Sequence, residues 1–167
     1  LIRIVVDRCT RMLYNKRESY IKEEFLQMKL VKKDDAILEN VKHIHFIGIG
    51  GSGMCPLAEI LHSKGYILTG SDNNESDPLK RIKNLGIKVA MGHSPENVEG
   101  AQLVVYSAAI SKDNPELVKA AQLGIPTMER CDLLGIITRK FDNVIGVSGT
   151  HGKTTVSSMI TQIFLMN

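Results

Sequence analysis

Between the apolar run Val41-Lys42-His43-Ile44-His45-Phe46-Ile47 and an amphipathic stretch from Met54 to Lys64 lies Gly48-Ile49-Gly50-Gly51-Ser52-Gly53. This G-x-G-x-x-G restricts the fold more than any other feature of the chain. A strand that passes into a helix through such a loop uses its glycines for three jobs: a tight bend, close approach of backbone to a pyrophosphate, and close packing of helix on strand. The N–H groups at the start of the helix, reinforced by its dipole, favour a diphosphate there. Asp72 closes the second strand, 19 residues after Gly53, where a carboxylate can bond a ribose hydroxyl. On these features alone the ligand is a nucleotide diphosphate, and NAD is the default.

The elements that follow repeat the same alternation. Met54, Leu57, Ala58 and Leu61 have helical spacing and are closed by Gly65, the C′ residue that a helix end favours. The pattern predicts strands over Tyr66–Gly70, Ile87–Met91, Leu103–Tyr106 and Ile125–Met128, and helices over Pro78–Leu85, Pro115–Leu123 and Cys131–Arg139. Gly86 and Gly124 close the first two of these helices. Strict β/α alternation through short, glycine-stopped connections implies an α/β fold: a Rossmann-like, doubly wound parallel sheet with helices on both faces. That domain is expected over 41–138. Upstream, 1–40 reads as an N-terminal extension with an amphipathic helix over Asn15–Leu30 and a solvated cluster at Lys32-Lys33-Asp34-Asp35. Residues 1–11, which open on Leu rather than Met, are set aside from the fold as non-native in character.

After the polar break Arg139-Lys140-Phe141-Asp142 a second unit begins. Asn143–Val147 reads as a strand, Gly149-Thr150-His151-Gly152-Lys153-Thr154-Thr155 as a phosphate loop, and Val156–Met166 as a buried helix. In a G-K-T loop the backbone amides cradle phosphates, the lysine (Lys153) neutralises β/γ oxygens and the next hydroxyl (Thr154) ligates Mg²⁺. The pattern departs from G-x-x-x-x-G-K-[ST], since position 147 is Val and the first glycine is Gly149. One strand, one loop and one helix cannot bury their own apolar surface, so 143–167 is expected to be the truncated start of a second, P-loop ATPase domain. Two phosphate loops suit an enzyme with two nucleotide-bearing substrates better than a dehydrogenase.

Charge and cysteine content narrow the class further. The net charge is +3, with 21 basic and 18 acidic side chains, too slight a bias to imply nucleic acid. Cys9, Cys55 and Cys131 are three in number and far apart, so they form neither a disulfide framework nor a zinc pattern and suit a reducing, cytoplasmic setting. No apolar run approaches the roughly 18–20 residues of a membrane helix. Oligomeric state is not written in the sequence.

His45-Phe46-Ile47-Gly48-Ile49-Gly50-Gly51-Ser52-Gly53-Met54 resembles the opening of the Mur ligases of peptidoglycan synthesis, in particular the branch that joins L-alanine to UDP-N-acetylmuramate. So do Gly70-Ser71-Asp72, Gly92-His93, Tyr106-Ser107-Ala108-Ala109-Ile110, Asp113-Asn114-Pro115-Glu116-Leu117 and the G-T-H-G-K-T-T at 149–155. The resemblance runs in order over about 43–167, and the short G-x-x-G-K spacing is the one that family uses. It implies a three-domain enzyme with a UDP-N-acetylmuramate domain, an ATPase domain and an amino-acid domain. ATP would phosphorylate the muramoyl carboxylate, and the amine of L-alanine would attack the acyl phosphate. Gly48, Gly50, Gly51, Ser52, Gly53 and Met54 would surround the UDP-sugar diphosphate, with Asp72, His93 and Ser107 near it. Gly149, Thr150, His151, Gly152, Lys153, Thr154 and Thr155 would hold ATP, with Lys153 and Thr154 as the catalytic pair and Thr154 on Mg²⁺. Ala108 stands where many relatives have a second serine, which removes one hydroxyl contact. This chain alone is expected to bind UDP-sugar without ligating.

Other candidates have structural readings. His43 and His45 share a strand face and are expected to be structural rather than a metal pair. Cys55, in the first turn of a helix, is expected to pack as a small buried thiol. The rival functions are an NAD-dependent oxidoreductase, favoured by the first loop and Asp72 and opposed by the second loop, and a non-catalytic nucleotide-binding module.

Overall fold

A computed structural model describes residues 3–7 and 36–166. The chain divides into two compact units, one within Lys29–Ile136 and one that joins the N-terminal strand to the segment from Ile137 onward. The helix expected over Asn15–Leu30 and the charge cluster at 32–35 lie outside the described residues.

The larger unit is a five-stranded parallel sheet. Its strands are β2 (His43–Ile47), β3 (Ile67–Asp72), β4 (Lys88–Met91), β5 (Leu103–Tyr106) and β6 (Thr127–Glu129), in the order β4-β3-β2-β5-β6. The expected alternation is present, and boundaries agree with the sequence reading to within two residues. His43 pairs with Ile67 and Ile47 with Ser71, while Ile44 pairs with Leu103. The chain thus leaves β2 in one direction through β3 to β4, then returns past β2 to build β5 and β6. Right-handed crossovers in opposite directions place their helices on opposite faces.

β2 lies between two strands and is covered on both faces, so Ile44, Phe46 and Ile47 are all fully buried. This explains why it reads as a nearly continuous apolar run rather than an alternating one. The helix α2 (Cys55–Ser63) buries Cys55, Leu57, Ala58 and Leu61, and α3 (Asp77–Asn84) buries Leu79 and Ile82. A second cluster of buried side chains joins Ile47 and Val104 of the sheet to Val98, Ala101 and Ala120, the last of these on α4 (Pro115–Gln122). Each of these large side chains contributes roughly 1.5–3 kcal/mol by leaving water.

Local chemistry fixes the helix ends. Ser76 caps α3 by accepting the Leu79 amide, and Asn114 caps α4 by accepting the Glu116 amide. Each is followed by proline in the first turn (Pro78 and Pro115), where a missing N–H costs nothing. The helices stop at the three glycines expected from the sequence, all with positive φ. Two short pieces escaped the sequence reading: α1 (Ile37–Asn40), whose Leu38 carbonyl accepts the Tyr66 hydroxyl at 2.8 Å, and a 3₁₀ turn at Pro95–Val98. Both are shorter than the window over which periodicity is legible. The helix α5 (Arg130–Arg139) follows β6 directly.

The smaller unit contains β1 (Arg3–Asp7), antiparallel to β7 (Val144–Ser148), and α6 (Lys153–Leu165). Here the sequence reading needs two corrections. Residues within 1–11 do take part in the fold: Arg3 pairs with Ser148 and Asp7 with Val144. The run Ile4-Val5-Val6 is rich in β-branched residues and supplies a strand. The expected buried helix also buries nothing, since no residue of α6 is buried and Met159, Ile163, Phe164 and Leu165 are exposed. A two-stranded ribbon is too small to cover a 13-residue apolar helix.

Candidate functional site

In an open parallel sheet, ligands bind beyond the carboxyl ends of the strands where the chain reverses its winding direction. Here that point lies between β2 and β5. The glycine loop Gly48–Gly53 leaves β2, and the Ser107 loop leaves β5. The two loops touch at Gly48, where a Cβ would stand 3.8 Å from Ile110 Cδ1. Ser107 is half-buried, and its carbonyl accepts the Ile110 amide at 2.9 Å.

The glycine loop is held by its neighbour strand. Both Gly48 N and Ile49 N donate to the Ser71 carbonyl, at 2.8 and 3.1 Å. Gly48 takes a φ of 75°, a left-handed conformation that favours glycine. Gly50 N donates to Asp72 Oδ2 at 2.9 Å, and Asn74 N donates to Asp72 Oδ1 at 2.9 Å. Each oxygen of Asp72 therefore already accepts one backbone N–H of this unit. Gly51 N turns inward to Gly48 O, and Met54 N to Gly51 O. Met54 itself is 2% exposed, so its side chain belongs to the core and not to the ligand surface. Only the amides of Ser52 and Gly53 carry no acceptor among the described residues.

Beside Gly53 lies a cation that the sequence reading missed. Arg130 follows β6 at the carboxyl end of the sheet and is exposed. Its guanidinium lies so close to Gly53 that a Cβ there would collide with Nη1 and stand 3.1 Å from Cζ. The guanidinium thus reaches from the end of β6 past the β2/β5 crevice to the tip of the glycine loop. The available signal was a basic residue immediately after the last strand, but no periodicity or motif marks it.

Behind the loop sits a buried polar cluster centred on Glu116, which is 0% exposed. Ser71 Oγ donates to Glu116 Oε2 at 2.7 Å, and Asn97 Nδ2 donates to Oε1 at 2.6 Å. His93, 16% exposed, places Nδ1 3.2 Å from Oε2 and 3.1 Å from Ser71 Oγ. His45 Nε2 lies 3.7 Å from Oε1. Burial alone would push the Glu116 carboxyl up; the His45, Asn97 and Ser71 groups around it outweigh that and hold it below the usual carboxylate range. His43 and His45 do not form a metal pair: both rings meet the Thr69 hydroxyl, at 3.0 and 2.9 Å. Among the described residues no cluster of His, Cys, Asp or Glu is arranged to hold a metal. Cys55 is a buried thiol, as expected; burial pushes it up despite the Arg81 guanidinium beside it.

The second loop, in the smaller unit, runs from Gly149 to Gly152 and opens α6. Gly152 is left-handed, with φ 79°. Lys153 Nζ folds back on its own loop, donating to Gly149 O at 2.7 Å and Thr150 O at 3.3 Å. The amides of Lys153, Thr154 and Thr155 have no acceptor among the described residues, while Val156 N already bonds Gly152 O at 3.0 Å. His151, Thr154 and Thr155 are exposed. An open row of helix-start amides beside an ammonium matches the donor set of a phosphate loop. Among the described residues no helix is long and apolar enough to cross a membrane.

The model of the Mur ligase family, catalytic domain, matches residues 43–142. The UDP-N-acetylmuramate–L-alanine ligase of Acetivibrio thermocellus is 54% identical over 124 residues, which cover 74% of this chain and 26% of that protein. The corresponding ligase of Persephonella marina is 52% identical over 123 residues, 74% of this chain and 27% of that protein. The crystal structure of the UDP-N-acetylmuramate–alanine ligase of Thermotoga maritima superposes with a TM-score of 0.57 at 33% identity, covering 59% of this chain and 23% of that one. The chain spans about a quarter of the length of these relatives.

Proposed function

Because the chain belongs to the Mur ligase family, we propose that it supplies the UDP-N-acetylmuramate-binding domain, over 41–138, and the opening of the ATP-binding domain, over 143–167, of a ligase that adds L-alanine in peptidoglycan synthesis. The observation that carries this reading is Arg130 against Gly53. A guanidinium with no ion-pair partner among the described residues, set against Gly53 next to the unengaged amides of Ser52 and Gly53, suits a ligand with several negative charges, and a sugar-linked diphosphate satisfies both donor types. His93 and Ser107 flank the same end of the sheet. Asp72 contributes by bracing Gly50.

In the second loop Lys153 would leave the carbonyls of Gly149 and Thr150 for the β/γ oxygens of ATP. The amides of 153–155 would cradle the phosphates, with Gly149, Thr150, His151 and Gly152 shaping the bend. Thr154 fits Mg²⁺ as the one hydroxyl ligand a phosphate loop supplies, the phosphates themselves providing others. The chemistry requires little nucleophilic help from the protein. A carboxylate is a poor electrophile, phosphorylation gives it a leaving group, and positioning with charge neutralisation lowers the barrier.

Calorimetric titration of the 167-residue chain with UDP-N-acetylmuramate, NAD and ATP tests the reading. Saturable binding of the UDP-sugar and no response to NAD is expected. Saturable NAD binding without a UDP-sugar response would overturn it in favour of an oxidoreductase.

A further inference from the structure

We propose that Glu116 is a positioning residue of the UDP-sugar site: it holds His93 by its Nδ1 proton so that Nε2 is left for the ligand, and its buried charge is balanced by one excess proton shared between His43 and His45 through Thr69. The inference rests on the UDP-sugar reading for the identity of the ligand, but not for the proton positions.

A fully buried carboxylate is costly, and an apolar residue would pack α4 more cheaply. What Glu116 gains is a set of donors drawn from separate parts of the fold, Ser71 from β3, His93 from the loop after β4 and Asn97 from the 3₁₀ turn, with the His45 ring of β2 facing it at 3.7 Å. Its place in the first turn of α4 adds the favourable end of the helix dipole. Two of these donors lead to the ligand end. The Ser71 carbonyl anchors Gly48 and Ile49 while its hydroxyl donates to Glu116. His93 is partly exposed at that end of the sheet, as is Asn97.

The proton on His93 follows from its partner. A carboxylate only accepts, so the nitrogen 3.2 Å from Glu116 Oε2 carries hydrogen, and the Ser71 oxygen beside it shares that hydrogen. Nε2 has no partner among the described residues. It is the ring atom left to accept a hydrogen bond from a sugar hydroxyl.

The counter-charge follows from counting protons. His43 Nδ1 lies 2.8 Å from the Gly100 carbonyl, which only accepts, so Nδ1 carries hydrogen. His45 Nε2 is buried without a hydrogen-bond partner and faces the Glu116 carboxylate; a bare lone pair there would be repelled, so it also carries hydrogen. Between them, His43 Nε2 and His45 Nδ1 both approach Thr69 Oγ1. That hydroxyl donates to one ring and must accept from the other. The two rings therefore hold three protons in place of the neutral two, whichever way Thr69 turns, and the surplus charge opposes Glu116.

Nitrogen-15 NMR of the imidazoles in the ligand-free full chain reads this directly. The expected spectrum has His93 protonated at Nδ1 and three protons over the His43/His45 pair; an unprotonated His93 Nδ1, or two neutral rings at 43 and 45, would overturn the proposal without any variant being needed. Affinity for UDP-N-acetylmuramate then tests the route of action. Glu116→Gln should lose about tenfold, as supporting-shell changes commonly do, and the double variant His93→Ala/Glu116→Gln should bind no worse than His93→Ala. Losses that multiply would mean that Glu116 acts on the site by a route other than His93, and would overturn the proposal. Failure of the unaltered chain to bind the UDP-sugar would instead count against the ligand assignment, with the proton positions still decided by the spectrum.

Discussion

The Asp72 carboxylate accepts the Gly50 amide at 2.9 Å while its other oxygen accepts the Asn74 amide, so the residue that closes β3 also braces the loop that closes β2. Gly50 is buried. Asp72→Ala leaves its N–H without an acceptor, and an unsatisfied buried donor costs about 1–3 kcal/mol. Urea unfolding should register that loss, together with weaker UDP-sugar binding. If Asp72 served only a ribose, affinity would fall with the unfolding midpoint unmoved.

Gly70 makes the same loop depend on β3 by shape. A Cβ there would stand 2.7 Å from Ile49 Cδ1, 2.8 Å from its Cβ and 2.9 Å from its Cγ2. Ile49 is fully buried in the glycine loop, and the collision includes the atom next to its backbone, so rotation of the side chain cannot relieve it. Gly70→Ala should destabilise the chain by about 1–3 kcal/mol, measured by thermal unfolding, and should shift the loop.

These two contacts show where sequence reasoning reaches and where it stops. The strand–glycine–helix order was legible because each part is local: β2 is a run of apolar residues, Pro78 and Pro115 open helices, and glycines close them. The same locality made the loop at Gly149–Thr155 visible. The Glu116 cluster was not legible, since His45, Ser71, His93, Asn97 and Glu116 come from five separate segments that meet only once the sheet and α4 have packed. Asn114-Pro115-Glu116 carries the family resemblance, yet nothing in its spacing says that the carboxylate turns inward. Met54 was misplaced for a related reason: adjacency to the loop suggested a ligand contact, whereas its side chain begins the buried face of α2. Arg130 lies 77 positions beyond Gly53, and only the β2-β5-β6 order brings it back. Pairing of Arg3–Asp7 with β7 is longer in range still.

Gly53 separates binding from stability. The group a new Cβ would meet is the far end of the Arg130 side chain, which is exposed and free to swing away, and Gly53 is not among the left-handed glycines. Gly53→Ala should therefore stay within about 0.5 kcal/mol of the parent in unfolding experiments. It should weaken UDP-N-acetylmuramate binding by displacing the guanidinium. Arg130→Ala should produce a loss of similar size, and combining the two should add little. A Gly53→Ala chain that binds normally would show that Arg130 is not a ligand group.

Lys153 gives the complementary separation. Among the described residues its ammonium bonds only carbonyls of its own loop, so Lys153→Ala should leave UDP-sugar binding and the unfolding midpoint unchanged. ATP binding should fall by at least tenfold, corresponding to about 1.4 kcal/mol, because the β/γ oxygens lose their counter-charge. Isothermal titration with each nucleotide in turn reads both numbers on one preparation. Equal losses for the two ligands would mean that the two loops do not serve separate substrates.

Acid should unfold the larger unit through Glu116. Hydrogen bonds and the neighbouring His45 hold its carboxyl below the ordinary value of 4.5, against the opposing effect of burial. A carboxyl depressed in the folded state is protonated first in the unfolded chain, so as pH falls below about 4.5 the unfolded state binds the extra proton and stability declines. The contribution is fully present above that value and disappears as pH drops through the folded-state value. Protonation also turns one acceptor position of the carboxyl into a donor and weakens the charge-assisted bonds from Ser71, Asn97 and His93. Glu116→Gln has no such proton to bind. Urea midpoints taken from pH 7 down to pH 3 should show the parent well above Glu116→Gln at neutral pH, with the gap narrowing below about pH 4.5; a gap that stays constant to pH 3 would mean the carboxylate is not stabilised by its buried partners.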